Sequence, residues 1–334
     1  MNRQLLQYHP IYGHRFIPGL KARVDHEGGG YLVRTNASGF RSHHEFVAEK
    51  EPGRFRLLLF GDSYTAGDGV SNQHRYSDVL EELVPGLEVF NMGLPGTGTD
   101  QQYLVFRDAA PGVEHDLVVI GVMVENIRRV VARYRPWKTR RGETLVFAKP
   151  YFLPAPGGGL ELHHVPVPEG PVDVASLGAE ERAAIDRGGG MAWLRGAVHR
   201  LGPGARDLAQ RWSRYQPVPA YERSDDPSWQ LMKGILERWI SEVKVPVIVC
   251  PIPLYQFIEG TASARGYQER FAELAAVPGV TVHDPLPDFQ RHPPGERRRF
   301  RFAGDTHLTA AGHRVLAESL APRIRSLMNP DPLT

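Results

Sequence analysis

Apolar residues fall along this chain in two alternating rhythms: short solid runs and longer amphipathic stretches. The solid runs predict strands at 56–61, 87–90, 116–122, 245–250 and 279–283. The amphipathic stretches predict helices near 72–84, 99–109, 124–134, 227–242, 264–276 and 309–326. Strands alternating with helices in this way form a parallel sheet covered on its faces. The expected fold class is therefore α/β: a three-layer α/β/α sandwich around a mainly parallel, flavodoxin-like five-stranded sheet.

The rhythm breaks between about 135 and 225, far longer than an ordinary connection between elements. That insertion opens on Tyr134-Arg135-Pro136-Trp137 and carries two glycine triplets, Gly157 to Gly159 and Gly188 to Gly190. It leaves the chain just after Asn126, so it should hang over the carboxyl edge of the sheet, either as a substrate-selecting lid or as a surface excursion. Its aromatics Trp137, Tyr151, Phe152, Trp193, Trp212 and Tyr215 would suit a satellite core. The domain reading is a lead-in over 1–52 packed on one domain over 53–330, with the insertion inside it.

The strand Leu57-Leu58-Leu59-Phe60 runs into Gly61-Asp62-Ser63-Tyr64, and Gly61 permits a sharp exit that leaves a serine at the carboxyl end of the strand. Ligands and chemistry in open α/β sheets collect at that edge. Ser63 is thus either a nucleophile or, with Asp62, a helix cap. Near the other end stand Asp305 and His307, followed by Leu308-Thr309-Ala310-Ala311-Gly312. A serine hydroxyl needs a base, and a histidine base needs a group that fixes its tautomer; His307 and Asp305 are either that pair or a surface-loop histidine and a cap of the helix starting near Thr309.

These residues resemble the SGNH, or GDSL-type, hydrolase superfamily, whose four blocks occur here in order and span roughly residues 56 to 320. The first is Gly61 to Tyr64. The second is similar to Asn91-Met92-Gly93-Leu94-Pro95-Gly96-Thr97-Gly98-Thr99-Asp100, and the third to Val118 through Ile127. The Asp305/His307 segment is the fourth. The resemblance implies that Ser63 attacks an acyl carbon, His307 carries the proton and Asp305 orients it. It implies an oxyanion hole of the Ser63 N–H, the Gly96 N–H and the Asn126 amide. Two departures stand out. Block three reads Glu125-Asn126 where the family has Asn-Asp, and a one-residue shift brings Asn126 to the donor position in place of Glu125, an acceptor. Asp305 and His307 are two apart where three is common. Asp62, Tyr64, Glu125 and Arg41 are the candidate substrate-binding residues. Arg41 closes the lead-in segment Asn36-Ala37-Ser38-Gly39-Phe40-Arg41, which is similar to the stretch before the serine block in many bacterial members; it either wraps the first strand or meets an anionic group.

Composition narrows this further. Of 334 residues 41% are hydrophobic, a globular content, and 40 basic against 38 acidic side chains give a net charge of +2, which offers no footprint for nucleic acid. The one basic run, Arg297-Arg298-Arg299-Phe300-Arg301, is either a solvated loop or a dock for an anionic substrate. The chain has one cysteine, Cys250, which excludes an internal disulfide and reads as a small buried hydrophobe. No membrane span or signal-peptide core is visible, so a cytoplasmic location is expected. His43-His44 and His163-His164 lack metal-ligand spacing, and no nucleotide-binding loop is present, so no cofactor or metal is expected. The sequence specifies no oligomeric state. The implied activity is cleavage of a carboxylic ester on a small molecule or carbohydrate, for example deacetylation of a sugar or specialised metabolite. Two alternatives share the fold: an O-acyltransferase using the same triad, and a catalytically silent ligand-binding protein.

Overall fold

Five strands form the centre of the molecule in the computed structural model, which describes residues 4–138, 142–182, 185 and 216–329. They are β1 (Phe55–Gly61), β2 (Leu87–Asn91), β3 (Leu117–Met123), β4 (Val247–Ile252) and β5 (Val280–Val282), in the order β5-β4-β3-β1-β2. Every pairing is parallel. This is the flavodoxin-like order expected from the sequence. Strands β1, β3 and β4 are buried almost end to end because helices cover both faces, which is why they read as unbroken apolar runs. Each fully buried Leu, Val or Ile contributes about 1.5–3 kcal/mol. Cys250 lies within β4, buried, and burial pushes its thiol up.

Right-handed crossovers decide which helix lies on which face. The chain steps from β1 to β2 in one direction and from β2 to β3 in the other. Helix α1 (Tyr76–Leu83) therefore covers one face, where it packs against the last helix, Ala310–Met328. Helices Thr99–Ala109 and Pro227–Glu242 pack together on the opposite face. Strand order reverses at β1, between β2 and β3, and the loops leaving those three strands meet at one edge.

One expected helix is much shorter than its pattern suggested. The stretch 124–134 forms a single 3-10 turn, Val124–Asn126, and one helical turn, Ile127–Val130, and then enters the strand Tyr134–Lys138. Pro136 forces the residue before it out of the helical region, and the chain folds back as a hairpin with Thr144–Ala148. A second hairpin, Tyr151–Pro154 with Leu160–His163, follows. Phe152 joins the main core beside Tyr103, with ring centroids 5.7 Å apart, whereas Trp137 is half exposed. Trp193, Trp212, Tyr215 and the triplet Gly188 to Gly190 lie outside the described residues. The insertion is tied down by a buried pair: the Lys149 ammonium donates to Asp100 and to the carbonyls of Ala132 and Pro150.

The lead-in also forms hairpins that the sequence pattern did not suggest, Leu6–His9 with Gly13–Phe16 and Lys21–Val24 with Tyr31–Arg34. Tyr12, Phe16, Tyr31, Val33 and Phe40 from this region belong to the same core as the sheet.

Candidate active site

Close packing at the end of β1 creates the serine turn. Gly61 lies abreast of Gly121 on β3, and a Cβ on Gly61 would stand 2.0 Å from the Thr65 hydroxyl and 2.9 Å from the Gly121 carbonyl. Only glycine lets the chain turn this tightly here. Asp62 Oδ1 accepts the Tyr64 N–H at 3.0 Å, and Gly67, at φ +81°, ends the one-turn helix Ser63–Ala66. Asp62 Oδ2 accepts from Arg129 at 2.8 Å, so both carboxylate oxygens are engaged.

The segment that faces Ser63 is a tight turn before the last helix. Phe302 N–H donates to the His307 carbonyl at 2.9 Å, and Thr306 takes φ +70°, a strained conformation for a β-branched residue that typically costs about 1–3 kcal/mol. Tyr64 holds this turn, its hydroxyl donating to the Thr306 carbonyl at 3.1 Å. The turn places Asp305 and His307, only two residues apart, in direct contact through Nδ1 and Oδ1, while His307 Nε2 lies 2.8 Å from Ser63 Oγ. If Oγ–H donates to Nε2, the ring proton sits on Nδ1 and donates to Asp305, which is the tautomer a general base requires. Burial pulls the imidazole down, but the Asp305 hydrogen bond and the carboxylates of Asp68, Asp305 and Asp62 outweigh it and leave His307 above its ordinary value. Burial works to raise Asp305, yet the hydrogen bonds and charges of His307 and His26 bring it to about 2.

The loop after β2 is held by its carbonyls. His14 donates to Pro95 O at 2.8 Å, Arg135 to Gly96 O at 2.7 Å and Arg129 to Thr97 O at 3.0 Å. A trans peptide sets C=O and N–H in opposite directions, so fixing Pro95 O also fixes the Gly96 N–H. Burial and the neighbouring Arg135 charge bring His14 down to about 4, so it is neutral at pH 7. Gly96 itself sits at φ +73°, and a Cβ there would come within 1.9 Å of Arg135. Among the described residues the N–H groups of Ser63 and Gly96 donate to no protein acceptor. After β3, Asn126 is fully buried and neither of its amide atoms has a hydrogen-bond partner among the described residues. Glu125 is half-buried and paired with Arg128 at 2.5 Å.

Arg41 lies elsewhere. It is fully buried beneath the serine helix, donating to Asn72 Oδ1 at 2.9 Å and to the carbonyls of Ala66, Gly67, Leu32 and Val70. These contacts tie the lead-in to the loop that follows Ser63. Arg297 and Arg301 of the basic run border a small cleft shared with Tyr64, Tyr255, Phe300 and Thr306. Arg301 is paired there with Glu259 at 2.6 Å.

No family model matches the chain, and no curated protein matches it. The chain is similar to solved GDSL-type lipolytic proteins. A member of the lipolytic protein G-D-S-L family from Veillonella parvula aligns at 12% identity and TM-score 0.43, over 80% of this chain and 97% of its own. A lipase/acylhydrolase from Enterococcus faecalis aligns at 15% and 0.42, over 83% and 98%. An acetyl xylan esterase aligns at 14% and 0.43, over 81% and 100%.

Sequence reading missed His14, His26, Arg129 and Arg135, which contact the loops carrying Asp62, Gly96 and Asp305. Each reaches the site from a separate segment, and the only sequence signal for them was position: His14 and His26 within the lead-in, Arg129 just after Asn126 and Arg135 at the start of the insertion. Among the described residues no group of three or more His, Cys, Asp or Glu could hold a metal ion, and no helix is long and apolar enough to cross a membrane.

Proposed function

We propose that this chain is a serine hydrolase that cleaves a carboxylic ester through an acyl-enzyme. The observation that carries the reading is the continuous path from Ser63 Oγ to His307 Nε2, 2.8 Å long, and on to Asp305. Ser63 attacks the acyl carbon as its proton passes to His307 Nε2. The tetrahedral oxyanion collapses, the ester C–O bond breaks, and the leaving alkoxide takes the proton from His307. Water then repeats the cycle on the acyl-serine, with His307 again accepting and returning a proton.

The Ser63 and Gly96 N–H groups and the Asn126 amide are the proposed donors to the oxyanion. Among the described residues all three lack a protein acceptor, the condition such donors need before the charge develops. The substrate class proposed is an ester of a short acyl group such as acetyl, carried on a sugar or specialised metabolite.

Two outcomes test the oxyanion assignment. Asn126→Ala should lower kcat/KM for p-nitrophenyl acetate by about 100- to 1,000-fold, the usual cost of one such donor. A native rate in that variant would remove Asn126 from the hole. Gly96→Ala should produce a similar fall, because the added Cβ displaces Arg135 and strains a left-handed residue; the same assay, with thermal unfolding as control, checks it. The overall proposal is tested by intact mass after treatment with a fluorophosphonate. One probe per chain, absent in His307→Ala, is expected. An unlabelled native protein would point instead to a ligand-binding protein on this fold.

A further inference from the structure

Asp305 is held by two imidazoles. Besides His307 on Oδ1, its Oδ2 lies 2.7 Å from His26 Nε2, and His26 comes from the turn of the lead-in hairpin Lys21–Val24 with Tyr31–Arg34. The tautomer of His26 follows from its other nitrogen. Nδ1 accepts the Gly28 N–H at 3.2 Å, so the ring proton is on Nε2 and donates to the carboxylate. Three further contacts fix this arrangement. Glu27 accepts the N–H groups of Gly304 and Asp305 at 2.9 and 2.7 Å. The Phe302 ring meets the His26 ring edge to face at 4.4 Å, and a Cβ on Gly28 would stand 2.6 Å from Phe302.

We infer that His26 is a positioning residue for the triad acid. It locks the rotation of the Asp305 carboxylate and draws part of its charge away from His307, extending the Ser-His-Asp path into the lead-in. This inference rests on the hydrolase reading above. Without His26, Asp305 rotates freely and His307 is oriented less often. The carboxylate also becomes a stronger acceptor toward the imidazolium, so His307 holds its proton to higher pH. The other groups facing this cluster are unchanged by the substitution: Asp68 and Asp62 on the serine side, Glu27 at the backbone of Asp305, Tyr31, whose ring meets the His26 ring at 5.8 Å, and Tyr64, whose ring is 4.9 Å from His307.

The test is fluorophosphonate labelling of the full chain across pH, comparing native protein with His26→Ala and His26→Gln. His26→Ala should still bind one probe per chain but react about 100-fold more slowly, the scale of loss from a small misplacement of a catalytic group. The acidic limb of its rate profile should move to higher pH. His26→Gln, whose amide can donate from nearly the same point, should restore most of the rate and return the limb. A native rate and limb in His26→Ala would overturn the inference. So would a fall in stoichiometry alone with the labelled fraction reacting normally, which marks a purely structural role, or a Gln variant as slow as Ala. If the native protein does not label, the hydrolase reading itself fails, an outcome separate from all of these.

Discussion

Ser63→Ala should lower turnover of p-nitrophenyl acetate by about 10⁴- to 10⁶-fold while leaving the thermal unfolding midpoint nearly unmoved. The side chain is small and buried, and the hydrogen bond its hydroxyl makes is to His307, so a methyl group fits the same space without leaving a backbone group unpaired. What is lost is the nucleophile, and with it the acyl-enzyme. His307→Ala should cost nearly as much, and the double variant little more than either, because the two groups act as one unit. The pH dependence carries the same signature. The base must be neutral to accept a proton, and the carboxylates around it hold its pKa above the ordinary 6.5. Native activity should therefore fall as pH drops through that raised value, and rates with the activated ester between pH 5 and 9 check it. A Ser63→Ala protein with native turnover would end the proposal.

Lys149→Ala should destabilise the protein by about 3–5 kcal/mol in urea unfolding, the cost of removing one partner from a buried ion pair. Asp100 is completely buried in the first turn of helix Thr99–Ala109, and Lys149 is its cationic partner. Burial pushes both groups toward neutrality, raising Asp100 and lowering Lys149, and their mutual attraction opposes it. In the variant nothing opposes the rise at Asp100. A carboxylate whose folded pKa exceeds its unfolded value penalises folding at pH above that range, and the penalty fades as the group protonates. The deficit of Lys149→Ala should thus be largest near neutral pH and shrink in acid. Asp100→Asn in the same background should recover part of it, since an amide carries no charge to strand. An equal deficit at pH 7 and pH 4.5 would show that the loss lies in packing instead.

The core of this fold was legible because both faces of its sheet are covered, which leaves solid apolar runs that few other structures produce. Helix Pro227–Glu242 occupies the residues its pattern marks, since Asp226 caps it and Pro227 suits its first position. The paired hairpins were not legible. Lys21–Val24 has one buried residue in four, and such a strand is specified by its partner rather than by its own composition. The stretch after Asn126 misled because Val130 and Val131 continue a helical spacing that Pro136 and the Lys149 contacts override. At the site, Ser63, Asp305 and His307 sit in compact local motifs that a linear reading can find. His14, His26 and Arg135 do not, because a side chain delivered from a distant hairpin leaves no periodic trace where it lands.

Sequence separation gives the catalytic path a further property. Ser63 and His307 are 244 positions apart, and His26 and Asp305 are 279 apart. The serine is synthesised early, and its base emerges only with the last part of the domain. Throughout synthesis, and in any state where the closing turn is detached, the hydroxyl has the ordinary inertness of an alcohol. On the proposed mechanism, reactivity switches on only when these two segments meet, so an incomplete chain would not acylate itself on whatever ester it encounters.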